Sequence, residues 1–256
     1  MLHQNSANVL GVNVACVDVP GILEQVNCWS RQTELRTILY VNAHCFNLAC
    51  DDPLYHHLLT CADLVYSDGI SVVWAGRWLG NSQLCKITGA DWIYNFCQLA
   101  ELQGLRIYIL AGRPGIAENA RHNLLEKYPA LEIVGVCDGY FQHKSPAQVL
   151  EEIALALPHV VFVGLGTPRQ EKWIAEQRAV IRAPVCWAVG AMFDYVAGVE
   201  PRAPGWVNAL ALEWLWRLCM DPIGKWRRYI LGNPLFVYRI LRQKLSHHLS
   251  LPASFS

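Results

Sequence analysis

Seven short apolar runs, most of them followed by a stretch with helical spacing, constrain the fold of this chain more than any other feature. They are "NVLGVNVACV", "TILYVN" (37–42), "ADLVYSDG" (62–69), "RIYILAG" (106–112), "LEIVGVCDG" (131–139), "HVVFVGLG" (159–166) and "APVCWAVGA" (183–191). β-Branched and aromatic residues suit a pleated strand, and near-continuous apolarity marks a strand covered on both faces. Helical stretches lie between them: about 21–30, 42 to near Leu59, "ISVVWAGRWLG", about 115–128, 146–157 and "PRQEKWIAEQRAV". The alternation predicts an α/β fold, a mainly parallel sheet with helices on both faces and right-handed crossovers. From Trp206 the pattern changes. "WVNALALEWLWRLCMDP" and "NPLFVYRILRQKL" have helical spacing with no strand between, and Pro201 and Pro204 mark the join. The expected organisation is an α/β body over 1–203 and a C-terminal helical appendage over 204–256.

The chain has 256 residues, 53% of them apolar, which is enough for a well-buried core. Formal net charge is zero, which argues against a nucleic-acid partner held by bulk electrostatics. Ten cysteines are scattered without a C-x-x-C pair. That spacing predicts buried, reduced thiols in a cytosolic protein rather than a disulfide frame or a metal site. The N-terminus lacks the basic start and cleavage site of a signal peptide. No apolar run reaches the ~18 residues of a membrane span, because His159, Arg182 and Asp194 interrupt the richest windows.

In open parallel sheets ligands bind beyond the carboxyl ends of strands. Those ends carry Asn42 and His44, then Ser67, Asp68 and Gly69, then Gly112, Arg113 and Gly115, then Tyr140 and Phe141, then Thr167, Arg169 and Gln170, and last Asp194. The set suits a polar ligand, and helix N-termini with free N–H groups suit phosphate. Gly164-Leu165-Gly166 comes close to the G-x-G-x-x-G turn of a Rossmann-like dinucleotide site, but the third glycine is missing. No acidic residue lies about 20 positions past Gly164 to hold a ribose. Each residue also has a purely structural reading. Asp68 precedes a helix and is positioned to cap it. Gly112 and Gly115 suit a tight turn. Asp194 is placed to pair with Arg202, and His56-His57 to lie on a solvated face. No D-x-D occurs, so the usual carboxylate clamp for a metal–sugar-nucleotide complex is missing.

"YVNAHCFNLACDDPLYHHLLTCADLVYSDGISVVWAGRWLG", "KITGAD", "LAGRPG", "DGYF", "GLGTPRQEKWI", "VGAMFDYVAG" and "RAPGWVNALALEWLWRLCMDPIGKWRRYI" occur in this order. Together they resemble the WecG/TagA/CpsF glycosyltransferases, glycosyltransferase family 26, over about residues 10 to 240. The resemblance implies inverting, metal-independent transfer of an N-acetylmannosamine-type or related hexose from a UDP-sugar to a polyprenyl-diphosphate-linked sugar, in cell-surface polysaccharide synthesis. It implies Asp68 as catalytic base, Asn42 in the sugar-binding loop, and Gln170 near the donor sugar. Tyr140 and Asp194 fall at the uridine. The glycine turns Gly112, Gly115, Gly164 and Gly166, with Thr167 and Arg169, form the cradle for the UDP-sugar. The family's T-x-N carries Tyr40 at its Thr position, and Lys86 stands at the Arg of "ERVTG". Lys keeps the charge but loses the bidentate fork. Arg113, Arg169 and Lys86 are the cations expected at the diphosphate, so no cofactor or metal is expected.

Between Glu213 and Lys244 seven basic residues face two acidic ones, a formal excess of five in a neutral protein. Trp214, Trp216, Trp226, Tyr229, Phe236 and Tyr238 are interleaved with them. Basic and aromatic residues on amphipathic helices suit an anionic membrane surface. Within the resemblance, Arg217 and then Arg228 are the tail arginines that reach a diphosphate. The expected location is cytoplasmic, peripheral on the inner face of the plasma membrane. A homo-oligomer is left open. The other readings are an NAD-linked oxidoreductase and a non-catalytic nucleotide-binding interaction protein.

Overall fold

The computed structural model describes residues 5–249 apart from 82, 142, 143, 202, 210 and 211. In chain order the elements are β1 (Ser6–Val9), β2 (Val12–Ala15), α1 (Val19–Trp29), β3 (Arg36–Val41), α2 (Ala43–Asp51), α3 (Pro53–Thr60), β4 (Leu64–Ser67), α4 (Ile70–Trp78), α5 (Gly89–Gln103), β5 (Ile107–Ala111), α6 (Ile116–Lys127), β6 (Ile133–Cys137), α7 (Pro146–Ala156), β7 (Val160–Gly164), α8 (Arg169–Gln177), β8 (Val185–Ala188) and α9 (Met192–Val196). Then follow α10 (Gly205–Ala209), α11 (Glu213–Met220), α12 (Pro222–Trp226), a π-helical turn (Arg227–Leu231) and α13 (Gly232–Leu249).

Six strands form one parallel sheet in the order β4-β3-β8-β7-β5-β6. Every residue of β4, β5, β7 and β8 is buried, so helices cover both faces. On one face Trp92 of α5 stacks on Trp187 of β8 with centroids 3.9 Å apart, and Phe96, Phe162 and Phe193 close around the pair. Removing such an indole costs roughly 3–5 kcal/mol, so this stack fixes α5 to the sheet. The fold class read from the alternation is the one observed.

Local departures have physical causes. "NVLGVNVACV" is a separate antiparallel hairpin, not a strand of the main sheet. Its two-residue loop puts both Leu10 and Gly11 at positive φ, the geometry that matches strand twist. Leu10 is a poor residue for that φ, which hid the turn. His56 Nε2 donates to Leu10 O, 3.2 Å away, and is half-buried there rather than solvated. The helix expected to run to Leu59 breaks at Asp52, whose carboxylate caps α3 through Tyr55 N, with Pro53 in the first turn. α5 was not separately foreseen. The cysteines are unpaired, but only Cys45, Cys97, Cys137 and Cys186 are buried. Cys28, Cys50, Cys61, Cys85 and Cys219 are exposed, because they lie on helix faces and loops rather than in strands.

The helices after Pro204 do not stand apart from the body. Phe236 stacks on Phe46 of α2 at 5.7 Å, and Phe236 and Ile240 belong to the main core. Arg239 donates to Asn47 O and Oδ1 and pairs with Asp51, so α13 is bolted to α2.

Candidate active site

β3 and β4 end side by side, and their last turns place the first functional pair. Asn42 is the N-cap of α2: its Oδ1 accepts from His44 N at 3.0 Å and Cys45 N at 3.2 Å. That cap fixes the amide orientation and aims Nδ2 at Asp68 Oδ2, 3.4 Å away. Asp68 does not cap α4, contrary to its structural reading. Gly69, at φ 130°, holds that position, and α4 has no side-chain cap. The Asp68 carboxylate therefore faces the cavity. Burial raises its pKa above the usual carboxylate value, against the lowering pull of Arg217, and Glu213 raises it further.

The cavity over Asp68 has an empty volume of about 960 Å³. Tyr40, Asn42, Lys86, Thr88, Tyr195, Arg217 and Arg228 line it, together with Glu213 and Trp216. A second chamber of about 700 Å³ shares Asn42, Asp68, Lys86, Arg217 and Arg228 and adds His44 and Tyr229. The appendage thus builds one wall of the site. Glu213 on α11 is clamped between Arg217 at 2.6 Å and Lys86 at 3.6 Å. The Arg217 guanidinium lies 5.3 Å over the Tyr195 ring. Arg228 sits in the π-helical turn and makes no ion pair among the described residues. It bears on His44, whose pKa falls to about 4, mainly through burial and next through Arg228, so His44 is neutral at pH 7.

The glycine turns form an adjoining cavity of about 480 Å³, lined by Gly112, Arg113, Gly139, Tyr140, Gly164, Gly166, Arg169, Gly190 and Asp194. Ala191 borders both this cavity and the one over Asp68. Gly164 is needed for close approach, since a Cβ there would meet Gly190 O at 2.6 Å and Ala111 Cβ at 2.7 Å. The Arg169 guanidinium lies 5.6 Å over the exposed Tyr140 ring, a platform for a flat base. Burial raises the Asp194 pKa, and Glu200 adds to it. Arg202, its expected partner, lies outside the described residues.

Three predicted residues are placed differently from the rest. Gly115 caps α6 at φ 87° and lines neither cavity. Thr167 bonds Tyr40 Oη at 3.2 Å and donates to Glu171 Oε1 at 3.0 Å. Gln170 is fully buried: its Nε2 donates to Glu171 Oε1, and its Oε1 accepts from Gly190 N at 2.9 Å. Gln170 in this arrangement straps the loop after β7 to the loop after β8. Burial pushes the Glu171 carboxyl up to about 7. Its Oε2 has no hydrogen-bond partner among the described residues. Tyr40 fills the space beside Gly190, where a Cβ would fall 2.5 Å from its hydroxyl. The sequence reading missed Thr88, Tyr195 and the Glu213 clamp. "TGAD" carried a helix-start signal for Thr88, a threonine with aspartate three residues on. Nothing local in the sequence announces the Lys86–Glu213 contact across 127 residues.

The chain is similar in sequence to several curated proteins over most of its length. The chain is 31% identical over 204 residues to the N-acetylglucosaminyldiphosphoundecaprenol N-acetyl-beta-D-mannosaminyltransferase of Bacillus subtilis (strain 168), covering 80% of this chain and 78% of that protein. A protein of the same name from Bacillus spizizenii is 31% identical, covering 77% of this chain and 75% of its own length. That of Staphylococcus aureus (strain MW2) is 26% identical over 241 residues, 93% of this chain and 92% of its own. Residues 7–250 match the glycosyl transferase WecG/TagA/CpsF family, and the chain therefore belongs to that family of glycosyltransferases.

Proposed function

We propose that this protein transfers an N-acetylmannosamine-type sugar from a UDP-sugar to a polyprenyl-diphosphate-linked sugar, with inversion at the anomeric carbon and without a metal. The relatives are named for acting on N-acetylglucosaminyl diphosphoundecaprenol, which supports the acceptor class. The observation that carries the reading is the uncapped, partly buried Asp68 held by Asn42 beneath Lys86, Arg217 and Arg228. In the proposed step the acceptor hydroxyl oxygen attacks the anomeric carbon from the face opposite the nucleotide. Its proton passes to Asp68, the carbon–oxygen bond to the diphosphate breaks, and UDP leaves with the bonding electrons. The raised pKa of Asp68 makes it a better base than an exposed aspartate. The three cations supply charge where the leaving diphosphate develops it, the role a divalent ion plays elsewhere. Tyr140 and Arg169 suit the uracil and Asp194 the ribose.

The test is turnover of a UDP-sugar panel on a lipid-linked N-acetylglucosamine acceptor in the presence of EDTA. Asp68→Asn should cut kcat by on the order of 10² or more. Melting temperature should stay nearly unchanged, since the side chain caps nothing. Strict dependence on Mg²⁺ or Mn²⁺, or near-normal turnover by Asp68→Asn, would overturn the reading.

A further inference from the structure

Among the described residues, one cavity has an almost wholly apolar lining. A groove of about 690 Å³ runs between α4 and α13, walled by Trp74, Trp78, Phe236, Val237 and Ile240. It is no isolated patch. Ile70, Ser71, Trp214 and Asn233 line both the groove and the cationic chamber beside Asp68, so the two cavities join at those residues. Trp74 and Trp78 keep about half their surface exposed, at 50% and 48%. Their partners Phe236 and Ile240 are sunk into the core, so the groove floor is rigid and its rim is open.

We infer that this groove holds the first isoprene units of the acceptor's polyprenyl chain, an assignment that rests on the proposed transferase reading. An amphiphile with a diphosphate head and an apolar tail needs a cationic chamber opening directly into an apolar channel, and this junction provides that. The volume falls in the range of about 300–1,000 Å³ typical of sites for small organic ligands. It therefore takes only the start of a long chain and leaves the rest to the bilayer. A surface built merely to press into lipid would be convex. This one is concave and leads to the reacting groups. The Asn233 and Trp214 side chains stand at the neck, where head and tail meet.

The experiment compares full-length protein with two variants: Val237→Trp, which fills the groove while keeping it apolar, and Trp78→Glu, which charges its opposite wall. Both positions are partly exposed, so both variants should fold. With an undecaprenyl acceptor, each variant should raise KM by on the order of tenfold. With a short, water-soluble alkyl acceptor, kcat/KM should stay within about twofold, and pelleting of Val237→Trp with anionic vesicles should be unchanged. Equal losses on both acceptors, or none on either, would overturn the assignment. So would loss of vesicle binding by Val237→Trp, which would make the groove a membrane-docking face. A readout independent of sugar transfer is photolabelling with a diazirine-bearing farnesyl diphosphate. Label should fall on residues 70–78 and 233–240, be competed by undecaprenyl phosphate and disappear in Val237→Trp. Such labelling without turnover of any UDP-sugar would sink the transferase reading and leave the groove standing. Labelling elsewhere would sink the groove.

Discussion

Glu171 shows how a single residue can make the whole fold sensitive to pH. Its carboxyl is buried with one oxygen in two hydrogen bonds and the other in none, and its pKa is raised from 4.5 to about 7. The folded state therefore holds a proton that the unfolded chain gives up near pH 4.5. Its stabilising effect is full below that value and is lost as pH rises through about 7. A shift of that size corresponds to on the order of 3 kcal/mol. Melting temperature should fall between about pH 5 and 8. Glu171→Gln, which has an oxygen to accept the same two bonds and no charge, should flatten that dependence and melt higher than the parent at pH 8. A variant with the parent's pH profile would show that the carboxyl titrates normally. The sequence made Gln170 and Glu171 a polar pair on an amphipathic helix. It did not reveal that both are buried, because burial here comes from the neighbouring loop through Gly190, not from local pattern.

Among the elements, α2 carries the most specific arrangement, since one amide both caps the helix and orients the candidate base. Asn42→Asp should retain the cap, because aspartate caps as well as asparagine. It should also set a second carboxylate against Asp68 and raise the pKa of the pair. The acidic limb of the kcat/KM profile should then move to higher pH with little change in melting temperature. Asn42→Ala should instead lose about 1 kcal/mol of stability along with activity. If Asn42→Asp leaves the pH profile in place, Asp68 is not the group that titrates in catalysis. The strands were legible because their burial is continuous, and most helices because theirs is periodic; both signals are local. The hairpin turn at Leu10 and the helix α5 escaped notice for opposite reasons. The first uses a residue disfavoured at its φ, and the second opens on a helix-start signal, Thr88 with Asp91, that was read only as part of a motif.

At the scale of the whole molecule, the tail is both a wall of the site and a part of the core. Among the described residues no helix is long and apolar enough to cross a membrane. The tail nevertheless exposes Trp206, Ile223, Trp226, Tyr238 and Leu245 beside its basic residues, the composition of an interfacial element. Deletion from Trp206 should abolish pelleting with anionic vesicles, and for the full chain high salt should release it. A deletion that still pellets would remove the tail from that role. An appendage independent of an α/β body over 1–203 would leave the truncated body fully folded. The Phe46–Phe236 stack and buried Ile240 mean the cut should also cost several kcal/mol, so the truncated protein should melt lower. Lys86, Arg217 and Arg228 were each singled out by their motifs, but Arg113 and Arg169, expected beside Lys86, line the adjoining glycine cavity. The carboxylate shared by Lys86 and Arg217 was not legible, because that contact exists only once the tail has folded back.

That carboxylate gives the site its own counterion. With Glu213 seated between Lys86 and Arg217, the diphosphate of the proposed donor would exchange with an anion already in place, and the evicted group is attached to α11. On the proposed reading, nucleotide loading would thereby be geared to the position of the appendage. Some binding energy would be spent on the exchange, holding affinity down and easing the departure of UDP after each turnover. Glu213→Gln should therefore bind UDP several-fold more tightly, with a steeper dependence on ionic strength, yet turn over more slowly wherever release is limiting. Titration calorimetry across a salt series, set beside steady-state rates, reads out both halves of that trade. Weaker UDP binding by the variant would mean that Glu213 holds the two cations in place for the nucleotide rather than competing with it.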